Sequence, residues 1–154
     1  MRELYRIVDA NLNRAREGLR VLEEVARFIL EDSRLTGVLK EMRHRLTGMV
    51  LSAGVACALI NSRDSENDVG AGSWTPREKE RGSVCDLVAA NFKRVQEAAR
   101  VLEEFGKILG LPAQEVKELR FELYTLEKEM WPLVEAHAED KSKKSAEEEG
   151  GAGT

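Results

Sequence analysis

The sequence predicts an all-α protein: a four-helix bundle built from two repeated helical hairpins related by a pseudo-two-fold. Three observations carry this. Apolar residues recur at three- and four-residue steps along most of the chain, the period of an amphipathic helix. The phrase "ANLNRAREGLRVLEE" (Ala10 to Glu24) returns later as "ANFKRVQEAARVLEE" (Ala90 to Glu104). Aromatic residues make up only 5% of the 154 residues against 42% hydrophobic, so the core is aliphatic.

The first helix is expected at about residues 4–31. Leu12, Ala15, Leu19, Leu22, Ala26 and Ile29 give its stripe. "EDSRLTG" interrupts the period, and Ser33 is a candidate cap for a second helix reaching about residue 60. Leu35, Leu39, Met42, Leu46, Met49 and Val50 mark the buried side of that helix. Cys57, in "AGVACALI", reads as a small buried hydrophobe. From Asn61 to Ser83 the period is lost among turn formers, with Thr75-Pro76 a candidate start for a short helix. A third helix is expected from near Val84 to about Leu109. "GLP" (Gly110 to Pro112) then stops one helix and opens the next. Val116, Leu119, Leu123, Leu126 and Met130 carry the fourth helix, which Pro132 should kink or end. Residues 1–137 form one helical domain, and 138–154, polar and low in complexity, form a disordered acidic tail.

The repeat extends beyond the quoted phrase. "LKEMRHRL" (Leu39 to Leu46) follows the first copy and "VKELRFEL" (Val116 to Leu123) follows the second. The repeated unit is therefore a helical hairpin. One hairpin cannot bury its apolar stripe alone, and its own copy is a ready partner.

Within each copy, polar residues fall where apolar ones belong. At roughly 100° per residue from Asn11, the stripe of the first helix contains Asn11 itself, and Arg14 lies between Val21 and Val25. Val21 and Phe28 widen the stripe, and Glu17 and Glu24 flank it. Arg16, Arg20, Glu23 and Arg27 lie opposite, facing solvent. Asn91, Arg94 and Glu97 repeat the pattern. Two readings stay open. One is a buried network, with Asn11 and Arg14 bonding Glu97 or Asn91 across the pseudo-two-fold as a register device. The other is a polar pocket whose guanidinium groups hold an anion such as phosphate.

"SRDSENDVG" (Ser62 to Gly70) places Arg63, Asp64, Glu66 and Asp68 close together. Clustered carboxylates beside glycines suit a Mg²⁺-phosphate site, since Mg²⁺ prefers oxygen ligands and bridges to substrate phosphates. The bland alternative is a solvated connector, but so long a loop in a small bundle leans towards function. It is neither a P-loop, because "GAGS" runs into Trp74, nor a calcium loop, because the closing acidic residue is missing. Trp74 reads as a cover for a flat ring or, more simply, as packing. His44 reads as a solvated histidine opposite the second helix's stripe, with Arg43 near its edge.

The totals restrict the partners. A net charge of −4 without a basic cluster argues against nucleic acid. The twelve-residue run from Met49 to Ile60 is too short to span a bilayer, so no membrane is expected. The charged N-terminus does not read as a signal peptide. Two cysteines without ligand spacing fit a reduced, cytoplasmic setting.

Taken together, "RIVDANLNRAREGLRVLEEVARF", "LKEMRHRL", "SRDSENDVG" and "AANFKRVQEAARVLEEFGK" resemble the small, monofunctional hydroxymethylpyrimidine-phosphate kinase family of thiamin biosynthesis. In some bacteria that domain is fused ahead of thiamine-phosphate synthase. The likeness covers about residues 4–130 with four motifs in order, and no TIM-barrel pattern follows them. It implies phosphoryl transfer from ATP, with Mg²⁺, to hydroxymethylpyrimidine phosphate, giving the pyrophosphate. The family's motif positions fall on Asn11, Arg14, Glu17, Arg43, His44, Arg63, Asp64, Asp68, Asn91, Arg94 and Glu97. By chemistry, Arg14, Arg63 and Arg94 are expected to hold phosphate oxygens, and Asp64 or Asp68 to carry the metal. Asn11, Asn91, Glu17, Glu97, Arg43 and His44 are then the candidates for substrate binding. Candidate macromolecular partners are a second copy of the chain and thiamine-phosphate synthase. The rival reading is a non-catalytic helical module that binds a phosphorylated pyrimidine or docks onto that synthase.

Overall fold

The computed structural model describes residues 1–70 and 81–150, with side chains as far as residue 143. Trp74 and the candidate helix start Thr75-Pro76 lie outside the described residues. Among the described residues there are five helices and no strand: α1 (Arg2–Phe28), α2 (Ser33–Ser52), α3 (Ala56–Ser62), α4 (Val84–Leu109) and α5 (Ala113–Gly150).

The punctuation between helices is local chemistry. Asp32, not Ser33, caps α2, its carboxylate accepting from the Leu35 N–H at 2.8 Å. Asp32 has extended backbone, which aims its side chain back at the first turn, and its negative charge also suits the helix dipole. The expected helix to about residue 60 is two helices. Gly54 adopts φ 68°, a left-handed conformation that side chains resist, and α3 leaves α2 at 95°. Cys57, expected inside, is consequently exposed on this short helix. Ser83 caps α4, accepting from the Asp86 N–H at 3.1 Å. Gly110, at φ 72°, ends it, with the Leu111 N–H returning to Gly106 O at 2.9 Å.

Pro132 does not end α5. It sits exposed between Met130 and Val134, both fully packed in the core, and this packing holds the helix on both sides of the missing N–H. The backbone stays helical to Gly150, where the tail was expected to lack structure. Val134 is nevertheless the last buried residue through residue 143.

α1 packs against α4, α2 and α3, and α4 packs in turn on α5. The α1–α4 approach is close at Gly18, where an added Cβ would lie 2.6 Å from Val95 Cγ2 and 3.3 Å from Asn91 O. The core is aliphatic apart from Phe92, with Leu19, Leu22, Leu35, Leu39, Leu119 and Leu123 sealed from solvent. α2 and α5 meet mainly through surface ion pairs, Arg34–Glu129 and Arg45–Glu122.

The buried arc of α1 is turned from the expected stripe. Asp9 and Glu23 are buried, while Phe28 is exposed with the Arg27 guanidinium 4.7 Å above its ring. The cause is tertiary: α2 and α3 cover the Asp9–Glu23 side, which leaves the Arg14 side open. No single helix among the described residues is long and apolar enough to cross a membrane. Among the described residues, only the bent pair α2 and α3 meets that composition together, and most of α2's apolar residues, Leu51 excepted, face the protein core.

Candidate functional site

The repeat places two kinds of polar group on α1 and α4. The first kind is structural. Glu23, 4% exposed, accepts from Arg20 Nη1 at 3.0 Å and Arg43 Nε at 3.1 Å. Glu103, 5% exposed, accepts from Arg100 Nη1 at 2.9 Å and from Arg120 Nε and Nη2 at 3.2 and 2.9 Å. Arg43 and Arg120 occupy matching places in "LKEMRHRL" and "VKELRFEL". Each hairpin is thus tied by its own Arg–Glu–Arg set, a reason for duplicated charge that the helical wheel misses because it assigns Glu23 to solvent. Burial pushes the Glu103 carboxyl up, but the hydrogen bond from Arg120 and the Arg120 and Arg100 charges outweigh it and hold the group below its ordinary value. Arg43 is therefore engaged in packing. His44 is exposed on α2 and lines neither cavity described below.

The second kind faces open space. Arg14 and Arg94 are exposed, and neither bonds Glu97 or Asn91 among the described residues. Of the two readings open from the sequence, the buried network thus finds no such bond among the described residues. Instead, an open groove of about 710 Å³ runs between α1 and α4, lined by Asn11, Arg14, Lys93, Arg94 and Glu97, with Arg81 at its border. Arg14, Lys93 and Arg94 have no carboxylate partner among the described residues. Most other arginines are paired, so these three leave an unbalanced positive wall. Asn11 is buried, with its Nδ2 donating to Ile7 O at 2.8 Å. Asn91 mirrors it, donating to Leu87 O at 2.8 Å. The buried Asn91 Oδ1 has no hydrogen-bond donor and lies near Gly18, at the helix contact. Glu17 is exposed and does not line the groove, whereas Glu97 does.

The groove continues past Arg14. Arg14, Asn11, Ala10, Arg6 and Asp68 line a neighbouring hollow, and Arg6, Ala10 and Asp68 also line a loop cavity of about 300 Å³ with Asp9, Arg63 and Asp64. Sequence reasoning missed Arg6, Asp9 and Lys93. Asp9 shows why: it lies two residues before Asn11 on α1, and only the fold brings Arg63 to it. The Arg63 Nε and Nη2 donate to Asp9 Oδ2 and Oδ1 at 2.6 and 2.9 Å. That hydrogen bond, with the carboxylate's charge, raises the Arg63 pKa. Two of the five guanidinium N–H groups are used, so others stay available.

Asp64 and Asp68 share the loop cavity. Asp64 Oδ1 accepts from Asn67 Nδ2 at 2.8 Å, and Asp68 Oδ1 accepts from the Gly70 N–H at 2.9 Å. The Asn67 hydrogen bond, with the Arg6 and Arg2 charges, holds the Asp64 carboxyl below its ordinary value. Among the described residues, no three of the His, Cys, Asp and Glu side chains form a ready metal cluster. The second oxygen of Asp64 lies 3.9 Å from Arg2 Nη2; the two carboxylates are the donor type that Mg²⁺ takes when water and substrate phosphates supply the rest of its shell.

Comparisons with known proteins follow this geometry. A family model described as the ThiD2 family matches residues 6–129. The chain is 42% identical over 125 residues to a thiamine-phosphate synthase of Nostoc sp. (strain PCC 7120), covering 80% of this chain and 34% of that one. It is 43% identical over 130 residues to a thiamine-phosphate synthase of Rhodopirellula baltica, covering 84% and 34%. For a thiamine-phosphate synthase of Synechocystis sp. the values are 45% over 126 residues, 80% and 35%. The chain thus spans about a third of the length of these relatives. No solved structure matches it significantly.

Proposed function

The chain belongs to the ThiD2 family, and from that premise we propose that it is a phosphotransferase converting hydroxymethylpyrimidine phosphate to its pyrophosphate with ATP and Mg²⁺. The observation that carries this reading is the groove where Arg14, Lys93 and Arg94 stand without carboxylate partners and which continues to the acidic loop. Phosphoryl transfer asks a protein mainly for positioning and charge neutralisation, and this groove offers both.

In this reading an ionised oxygen of the phosphomonoester attacks the γ-phosphorus of ATP. A P–O bond forms to it as the bond to ADP breaks, and ADP leaves. A general base is unnecessary, because a phosphomonoester is largely doubly ionised at neutral pH. Arg14, Lys93 and Arg94 hold the polyphosphate, and Arg63, oriented by Asp9, faces the acceptor phosphate. Asn11, where the cavities meet, orients one of these groups. Asp64 and Asp68 are the residues that would hold Mg²⁺, whose chemistry is to neutralise charge on the phosphates. The buried Asn91 and the exposed Glu17 support the groove rather than enter it. A cytoplasmic location, an ordered unit ending near residue 137 and two hairpins related by a pseudo-two-fold belong to the same proposal.

A second reading is favoured by one observation: relatives more than twice as long carry the name of the synthase. There the groove would bind the phosphorylated pyrimidine, or the chain would dock onto the synthase, without turnover. A coupled assay for ADP release with ATP, Mg²⁺ and phosphorylated or free hydroxymethylpyrimidine decides. ADP release that requires the phosphorylated compound supports the kinase. Binding of that compound without ADP release supports the module.

A further inference from the structure

A separate slot of about 130 Å³ lies between α1, α2 and α3. Leu12, Val50 and Leu59, all buried, wall it, and Leu51 and Ile60 stand at its mouth, 64% and 59% exposed. Asn13, Arg16 and Thr47 add polar groups to its lining. Among the described residues, the buried Nε of Arg16 has no acceptor, an arrangement that costs stability unless something bonds to it. Asp9, Asn13 and Arg63 line both this slot and the loop cavity. The Asp9–Arg63 pair therefore stands where the two spaces adjoin.

Size and polarity narrow the occupant. A cavity of about 150 Å³ takes a single benzene ring, so this partly open slot of about 130 Å³ matches one six-membered ring better than a purine with its ribose. Leu12, Val50 and Leu59 suit the face of a ring better than a charged phosphate, which would lose its hydration against them, whereas Arg63 stands at the side shared with the loop cavity. The polar lining disfavours a plain hydrocarbon, because the buried Arg16 Nε–H would stay without a partner.

We propose that this slot takes the monocyclic nitrogen heterocycle of the acceptor substrate, with its phosphate-bearing arm passing Arg63 into the loop cavity. The ring's heteroatoms meet Asn13, Arg16 and Thr47. The wider groove beside Arg14, Lys93 and Arg94 is then left to the nucleotide. The identity of the ring as hydroxymethylpyrimidine rests on the phosphotransferase reading above; the slot's size and chemistry do not.

The test uses the full chain and hydroxymethylpyrimidine phosphate. Leu51→Trp and Ile60→Trp place a bulky group at the mouth from exposed positions, so thermal melts should be unchanged. Each should weaken binding of the pyrimidine phosphate tenfold or more by calorimetry and raise its KM to match, with the KM for ATP unaltered. Arg16→Met should act in the same direction. Nuclear Overhauser contacts from the bound ring to the Leu12 and Leu59 methyl groups are expected. Unchanged pyrimidine-phosphate affinity in both Trp variants, or ring contacts confined to α4, overturns the assignment. Failure of wild-type protein to bind the compound also overturns it. Binding with these contacts but without ADP release removes the kinase reading and keeps the slot.

Discussion

A Cβ added to Gly18 would lie 2.6 Å from Val95 Cγ2. Gly18 faces α4 at its closest approach, and Val95 is fully buried there. A β-branched side chain has little rotamer freedom with which to move aside. Gly18→Ala should therefore destabilise the protein by about 1–3 kcal/mol, as overpacking does, although alanine is the better helix former. Val95→Ala in the same chain should restore part of the loss. Denaturant titration of the single and double variants measures both, and a neutral Gly18→Ala would show that the helices separate freely.

The Arg–Glu–Arg sets predict a dependence on acid. The folded-state pKa of Glu103 is depressed, so its contribution is present above the unfolded pKa and is lost as pH falls through the folded one. Stability should therefore decline below the ordinary carboxylate range, and Glu103→Gln should flatten that decline. At neutral pH the substitution should cost about 1.5–3 kcal/mol, the scale of a hydrogen bond to a charged group, because Arg120 loses its carboxylate partner. Glu104→Gln, at a half-exposed surface pair, should cost about 1 kcal/mol or less. Melts from pH 3 to 8 on both variants make the comparison.

Arg14 and Arg94 are exposed and have no carboxylate partner among the described residues, so Arg14→Leu and Arg94→Leu should each change unliganded stability by about 0.5 kcal/mol or less. Each should weaken ATP binding by roughly tenfold or more, the equivalent of one charge-assisted hydrogen bond. Melts with and without nucleotide separate the effects. Large losses in both unliganded variants would restore the buried network.

Asp64 and Asp68 share a cavity while each keeps a carboxylate oxygen free of the bonds to Asn67 and Gly70. Asp64→Asn and Asp68→Asn remove charge with little change of shape. Turnover should fall by a factor on the order of 10² in at least one, the scale of losing an electrostatic contact to a transition state. Thermal melts should shift only slightly, because carboxylates in surface pairs contribute little to stability. Near-normal turnover in both at saturating Mg²⁺ would leave the loop a connector.

Periodicity along one chain reports which residues are apolar and how they are spaced, and this was enough for the all-α class and for the bounds of α4, Val84 to Leu109. Similarity of motifs supplied the family, which no spacing contains. What periodicity cannot report is where the neighbours sit around a helix. Glu23 was assigned to solvent and Arg14 to the interior, and both assignments reversed because α2 and α3 cover the Asp9 side of α1 and leave the Arg14 side open. The Asp9–Arg63 pair joins residues 54 apart, a juxtaposition that exists only after α3 turns away at Gly54. Local sequence determined the helices, because hydrogen bonds and caps act within a few residues. Tertiary packing decided which polar groups became struts and which became a groove, because burial depends on what lies opposite.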